Sequence, residues 1–144
     1  MFDTILVPVD DDPMSRHALR TAAELARRVG AKLTVLHVVE PFPTYTADVA
    51  RMLPKGEIER SQQEFAQALL DGMRSELPDD ADVTFLVRRS ERRPWQAIVR
   101  AAEELVADLI VMGTHGREGV VRAFLGSVAE RTARHAEVPV MLVR

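Results

Sequence analysis

Five short apolar runs, separated by stretches patterned for helices, leave this chain few ways to fold. The runs are TILVPV at 4–9, KLTVLHVV at 32–39, DVTFLV at 82–87, DLIVM at 108–112 and VPVMLV at 138–143. They are nearly continuous in Val, Ile and Leu, the pattern of strands covered on both faces in a parallel sheet. Between them, residues 13–29 carry Ala18, Leu19, Ala22, Leu25, Ala26 and Val29 at three- and four-residue spacing. Residues 57–76 repeat this with Ile58, Phe65, Ala66, Leu69, Leu70 and Met73, and residues 94–106 with Ile98, Ala101, Ala102 and Leu105. A shorter fourth helix is expected over 127–135. Asp12-Pro13 reads as an N-cap and first helical residue, and Gly30 as the glycine just past a helix end. The order βαβαβαβαβ, with connections that must cross over, predicts one doubly wound α/β domain over residues 1–144.

Composition narrows the function classes. A net charge of −3 argues against a general nucleic-acid or anionic-membrane binder, for which a basic excess is expected. Without cysteine there is no disulfide, thiolate nucleophile or Cys-ligated zinc, and a reducing, cytoplasmic setting is the expectation. No run approaches the roughly 18 apolar residues of a membrane span. The opening MFDTILVPVDDD is too acidic and too briefly apolar for a signal peptide. Segment 40–56, with Pro41, Pro43 and Pro54, is the one long loop. It reads equally as a lid or interface element and as variable surface.

In a doubly wound sheet, ligands bind beyond the C-terminal ends of the strands, where strand order reverses. That rule selects residues 9–11, 37–39, 87–92 and 112–116. The last group opens VMGTHGREGVVRAFLGSVAER at 111–131, where two residues separate Gly113 from Gly116 and nine separate Gly116 from Gly126-Ser127. Glycines between a strand and a helix let backbone N–H groups and a helix N-terminus converge on an anion. Neither familiar short phosphate loop is present: there is no G-x-x-x-x-G-K-[ST], and no G-x-G-x-x-G after the first strand. Ser127 has two readings, because Ser127-Val128-Ala129-Glu130 also fits a capping box.

Asp10-Asp11-Asp12 is the other conspicuous cluster. Asp12 is expected to cap the first helix, and Asp10 to face a ribose hydroxyl or a metal-bound water. Adjacent carboxylates diverge along an extended chain, so no protein-only metal site is expected. His17 is placed on a helix surface, His135 at a helix C-terminus, and His37 and His115 at strand ends as structural or ligand-adjacent groups. Arg117 and Arg122 fit phosphate charge and solvated loop positions equally well. Trp95, after Pro94 at a helix start, is expected to pack.

Together these residues resemble the universal stress protein family over nearly all of the chain. ILVPVD followed by Ser15-x-x-Ala18-Leu19 resembles its opening strand and helix, LTVLHVVE its second strand, ADLIVMGTHGREG its fourth and VPVMLVR its last. The specific part is the glycine signature of the nucleotide-binding branch, G-2x-G-9x-G-[ST], matched by Gly113, Gly116, Gly126 and Ser127. The resemblance implies an open five-stranded parallel sheet in order 3-2-1-4-5 with helices on both faces, of the Rossmann-like adenine nucleotide α-hydrolase type. It implies a stress-response module binding ATP (or AMP or ADP), with Mg2+ held through the nucleotide and at most slow hydrolysis or autophosphorylation. By the same resemblance Pro8, Val9 and Asp10 would line the adenosine side, with Asp10 on the ribose, and Val38 would approach the adenine. Met112 and Gly113 would flank the nucleotide, while Gly116, Gly126, Ser127 and Val128 would hold the phosphates; Arg117 joins these binding residues for its charge and not by the resemblance. A homodimer through the final strand, residues 139–143, is also implied.

Two departures stand out. Asp11-Asp12-Pro13 replaces the family's usual small pair such as Gly-Ser, and Ser90-Glu91-Arg92-Arg93 stands where a glycine tends to precede the third helix. Two other function classes stay open: a dimeric stress adaptor without nucleotide, and an adenylate- or pyrophosphate-processing enzyme. The enzyme reading calls for a Ser-Gly-Gly-rich loop after the first strand, which residues 10–13 do not offer.

Overall fold

Each apolar run becomes a strand. In the computed structural model, which describes residues 1–41, 47–52, 54, 56–114 and 125–144, these are β1 (Thr4–Pro8), β2 (Lys32–Val39), β3 (Val83–Arg89), β4 (Leu109–Gly113) and β5 (Val140–Val143). All pairings are parallel, in the expected order β3-β2-β1-β4-β5. The helices are α1 (Pro13–Val29), α2 (Ala47–Met52), α3 (Glu57–Arg74), α4 (Pro94–Glu104) and α5 (Ser127–His135). Of these, α2 lies inside the segment read from sequence as a long loop. Among the described residues no helix is long and apolar enough to cross a membrane.

Alternation along the strands feeds two cores. Ile5, Val7, Leu33, Val35, Leu109 and Val111 pack with Leu19 and Ala22 of α1 and Leu70 and Met73 of α3. On the other face, Leu6, Leu36, Ile110 and Met112 pack with Ile98 and Ala101 of α4 and Ala129 of α5. Both sides of β1 are therefore covered, which is why its sequence shows no polar alternation. The edge strand β3 is covered less well, and Thr84, Arg88 and Arg89 are exposed. Of the residues counted in the helical stripes, Val29, the last residue of α1, and Phe65 on α3 are exposed.

The ends of α1 follow from local chemistry. Asp12 has an extended backbone and its Oδ1 accepts the Met14 N–H at 2.8 Å, with Pro13 next in the first turn. Gly30 closes the helix at φ 74°, a conformation that favours glycine. At the end of α4 the same turn is made without glycine: Val106 sits at φ 51° and is 79% exposed, while the Ala107 N–H closes onto the Ala102 carbonyl at 2.9 Å. A β-branched residue is strained there and buries little in return. Val106→Gly is therefore expected to stabilise the protein by about 1 kcal/mol, read as a higher urea midpoint with unchanged slope.

Candidate functional site

Beyond the C-terminal ends of β1, β2 and β4 lies a cleft of about 520 Å³, walled by the first turns of α1, α4 and α5. Its volume falls in the range of roughly 300–1,000 Å³ common for small-molecule sites. The cleft sits where strand order reverses, with β2 on one side of β1 and β4 on the other. Val9, Leu36, Val38, Ile98 and Met112 supply an apolar lining, and Asp10, Ser15, Glu40 and Thr114 supply polar groups.

The turn from β1 into α1 is held by a closed set of hydrogen bonds. Asp10 N–H donates to Ser15 Oγ at 2.9 Å, and the Ser15 hydroxyl donates to Asp10 Oδ1 at 2.8 Å. The same Oδ1 accepts the Asp12 N–H at 2.9 Å, and the Ser15 N–H donates to the Asp12 carbonyl at 3.0 Å. Asp10 is thus oriented by its own helix, and the first turn of α1 is already served by the Asp12 carboxylate. The α1 N-terminus is electrostatically closed to a further anion.

The start of α5 differs from the capping box read from sequence. Gly126, at φ −59° and ψ 148°, is the N-cap, and Ser127 is the first helical residue. The Glu130 N–H donates to the Gly126 carbonyl at 2.9 Å, and the Glu130 carboxylate pairs instead with Arg134 at 2.7 Å. Because glycine takes the capping position, the serine is shifted one residue into the helix, where its hydroxyl cannot reach back to the Glu130 amide. Among the described residues no side chain caps the first amides of α5.

Of the residues expected at a site, Pro8, Val9, Asp10, Val38, Met112, Gly113 and Val128 all line this one cleft. Gly126 and Ser127 stand at the head of α5 beside Val128 without lining it themselves. His115, Gly116, Arg117 and Arg122 lie outside the described residues. Sequence reasoning missed Met14, Glu40, Pro94 and Ile98 as lining residues. From sequence, Ile98 reads only as a core position and Pro94 only as a helix start. Asking which residues in the first two turns of each crossover helix face the strand ends finds them.

Among the described lining residues every formal charge is negative: Asp10, Asp11, Asp12 and Glu40. No group of three or more potential metal ligands occurs among the described residues. Among the described residues no aromatic or histidine side chain lines the cleft. Trp95 stacks on His135 with ring centroids 4.3 Å apart, and His37 is buried on the opposite face of β2, near Phe65. His17 is exposed on α1.

The universal stress protein family model matches residues 1–144. A universal stress protein of Thermus aquaticus is 37% identical over 146 residues, covering 100% of both chains. A crystal structure of a universal stress protein family member from Burkholderia pseudomallei matches with a TM-score of 0.77 at 30% identity, over 99% of this chain and 96% of that one. The universal stress protein from Archaeoglobus fulgidus in complex with dAMP shares the fold, with a TM-score of 0.65 at 23% identity over 100% of this chain and 98% of that one. Matched from its first residue to its last by the family model and by a full-length relative, the chain belongs to the universal stress protein family.

Proposed function

We propose that this chain is an ATP-binding stress-response module whose conformation or partners follow the nucleotide held in the cleft. The observation that carries the reading is the joining of an apolar lining, an oriented Asp10 and the Gly126-led start of α5 at the reversal of strand order. Adenine would lie against Val38, Val9 and Met112, and Asp10 would accept a ribose hydroxyl through Oδ2, which takes no part in the turn's hydrogen bonds. Phosphates would meet the early amides of α5 at Gly126, Ser127 and Val128, because Asp12 already occupies the start of α1. Gly113 would flank the nucleotide with Met112, and Gly116 and Arg117 would complete the phosphate side. Mg2+ would arrive with the phosphates and offset the charge of Asp11 and Asp12 through water. Turnover would be limited to slow hydrolysis or autophosphorylation. The dAMP complex of the Archaeoglobus relative supports an adenine nucleotide as the ligand class.

A homodimer through β5 and a cytoplasmic location complete this reading. As an edge strand with Met141 exposed, β5 is suited to pairing with a second copy.

The acidic lining favours a second reading, a dimeric adaptor that binds no nucleotide. Two measurements separate them: chromatography of the small molecules released when purified protein is denatured, and calorimetric titration with ATP, ADP and AMP with and without Mg2+. Nucleotide binding at up to one per chain is expected. No released nucleotide and no heat with any of the three would establish the adaptor.

A further inference from the structure

The ladder between β1 and β2 extends one residue past β1, with the Val9 N–H donating to the Leu36 carbonyl at 2.8 Å. The Val9 carbonyl then meets an imidazole: His37 Nδ1 lies 2.9 Å from it. His37 is only 7% exposed, and a carbonyl can only accept, so Nδ1 carries the proton in this bond. The N–H of the same peptide unit is the Asp10 amide, bonded to Ser15 Oγ at 2.9 Å. One rigid peptide plane is therefore gripped at both polar ends by side chains from two elements, β2 and α1.

We infer that His37 is a positioning residue for the cleft, fixing the Val9–Asp10 peptide and through it the Asp10 carboxylate; this rests on the nucleotide reading of the site. The placement is indirect. Along β2, Leu36 and Val38 line the cleft, whereas His37 shares the opposite face with Leu33 and Val35, beside the ring of Phe65. His37 cannot touch a ligand there, but both residues of the peptide it holds, Val9 and Asp10, line the cleft. With the imidazole removed, the plane keeps only its α1 anchor and can turn about that bond. The Val9 carbonyl would also lose its donor in a largely dry setting.

Three substitutions separate the donor from the bulk of the ring. Asn places an amide nitrogen the same number of bonds from Cβ as Nδ1, whereas Leu and Met fill the space with no N–H donor. In calorimetric titration with ATP and AMP, His37→Leu is expected to lose about tenfold in affinity for both, and His37→Asn to stay within about threefold of the parent. Should His37→Leu not fold, His37→Met, which likewise offers no N–H donor, takes its place. Parent-like affinity in the donor-less variant, or an equal loss in His37→Asn, overturns the role.

Two readouts need no nucleotide. Nitrogen-15 spectra of the parent imidazole should show Nδ1 protonated, and the Asp10 amide should exchange about tenfold faster in His37→Leu than in His37→Asn. If the parent binds no adenine nucleotide, the function proposed above fails, and these two readouts decide the positioning alone. A neutral ring protonated only on Nε2, or equal Asp10 exchange in the two variants, overturns it.

Discussion

Gly126→Glu is expected to abolish measurable ATP binding while leaving the protein folded. The backbone there, φ −59° and ψ 148°, is open to any L-residue, so the new side chain introduces no strain at the Cα. A carboxylate at the start of α5 also suits the helix, which favours negative charge at its N-terminus. It would occupy the position proposed for the phosphates. At about 5 Å and an effective dielectric near 20, each pair of like charges costs about 3 kcal/mol, on the order of a hundredfold in affinity. The cleft already holds Asp10, Asp11, Asp12 and Glu40, so a further negative charge has no spare cation among the described lining residues to offset it. Gly126→Gln, similar in size and neutral, should lose far less. AMP, with one phosphate, should be affected less than ATP by the charged variant. Calorimetry beside far-ultraviolet circular dichroism reads both quantities, and unchanged ATP affinity in a folded Gly126→Glu protein would place the phosphates away from α5.

How much of this was readable in advance depended on how local each cause is. The α1 cap was legible because Asp12, Pro13 and the Met14 amide are neighbours in the chain. The start of α5, where Ser127 has two readings, is not legible for a related reason. The serine-to-glutamate spacing fits a capping box, but the helix begins on the backbone of Gly126, and an extended glycine leaves no mark in a residue pattern. Strand identity was legible for β1 and β4, which are buried on both faces, and less so in detail for β3, whose apolar run ends in the exposed pair Arg88-Arg89. The strand order came from the family resemblance; apolar runs alone do not encode it.

At the site, residues on strand ends were found because the topology rule points to them. Pro94 and Ile98 were not, since which side of α4 turns toward the cleft is set by packing. His37 was named as structural or ligand-adjacent, but its partner is a backbone carbonyl 28 residues away, which no spacing rule reveals.

The glycine signature also needs dividing between ligand and fold, and Gly113 makes the division measurable. Its backbone is not in the left-handed region, so conformational freedom is not what selects glycine there. The reason is close approach: a Cβ on Gly113 would stand 2.9 Å from Met14 Cβ, 2.9 Å from the Met14 carbonyl oxygen and 3.0 Å from its carbonyl carbon. Two of these are backbone atoms in the first turn of α1, so relief requires the helix to move away from β4. Gly113→Ala is expected to destabilise the protein by about 2 kcal/mol, in the range of overpacked cores. Gly72→Ala is the control. Its Cβ would meet only the Arg16 guanidinium at 3.5 Å, and alanine suits a helix better than glycine, so stability should rise by about 0.5 kcal/mol. Urea unfolding of the two variants gives the contrast directly. Because Met14, Asp12 and Gly113 all line the cleft, the displacement that costs stability should also weaken nucleotide binding. A Gly113→Ala protein as stable as the parent but unable to bind nucleotide would instead mean that α1 adjusts freely and that the glycine serves the ligand alone.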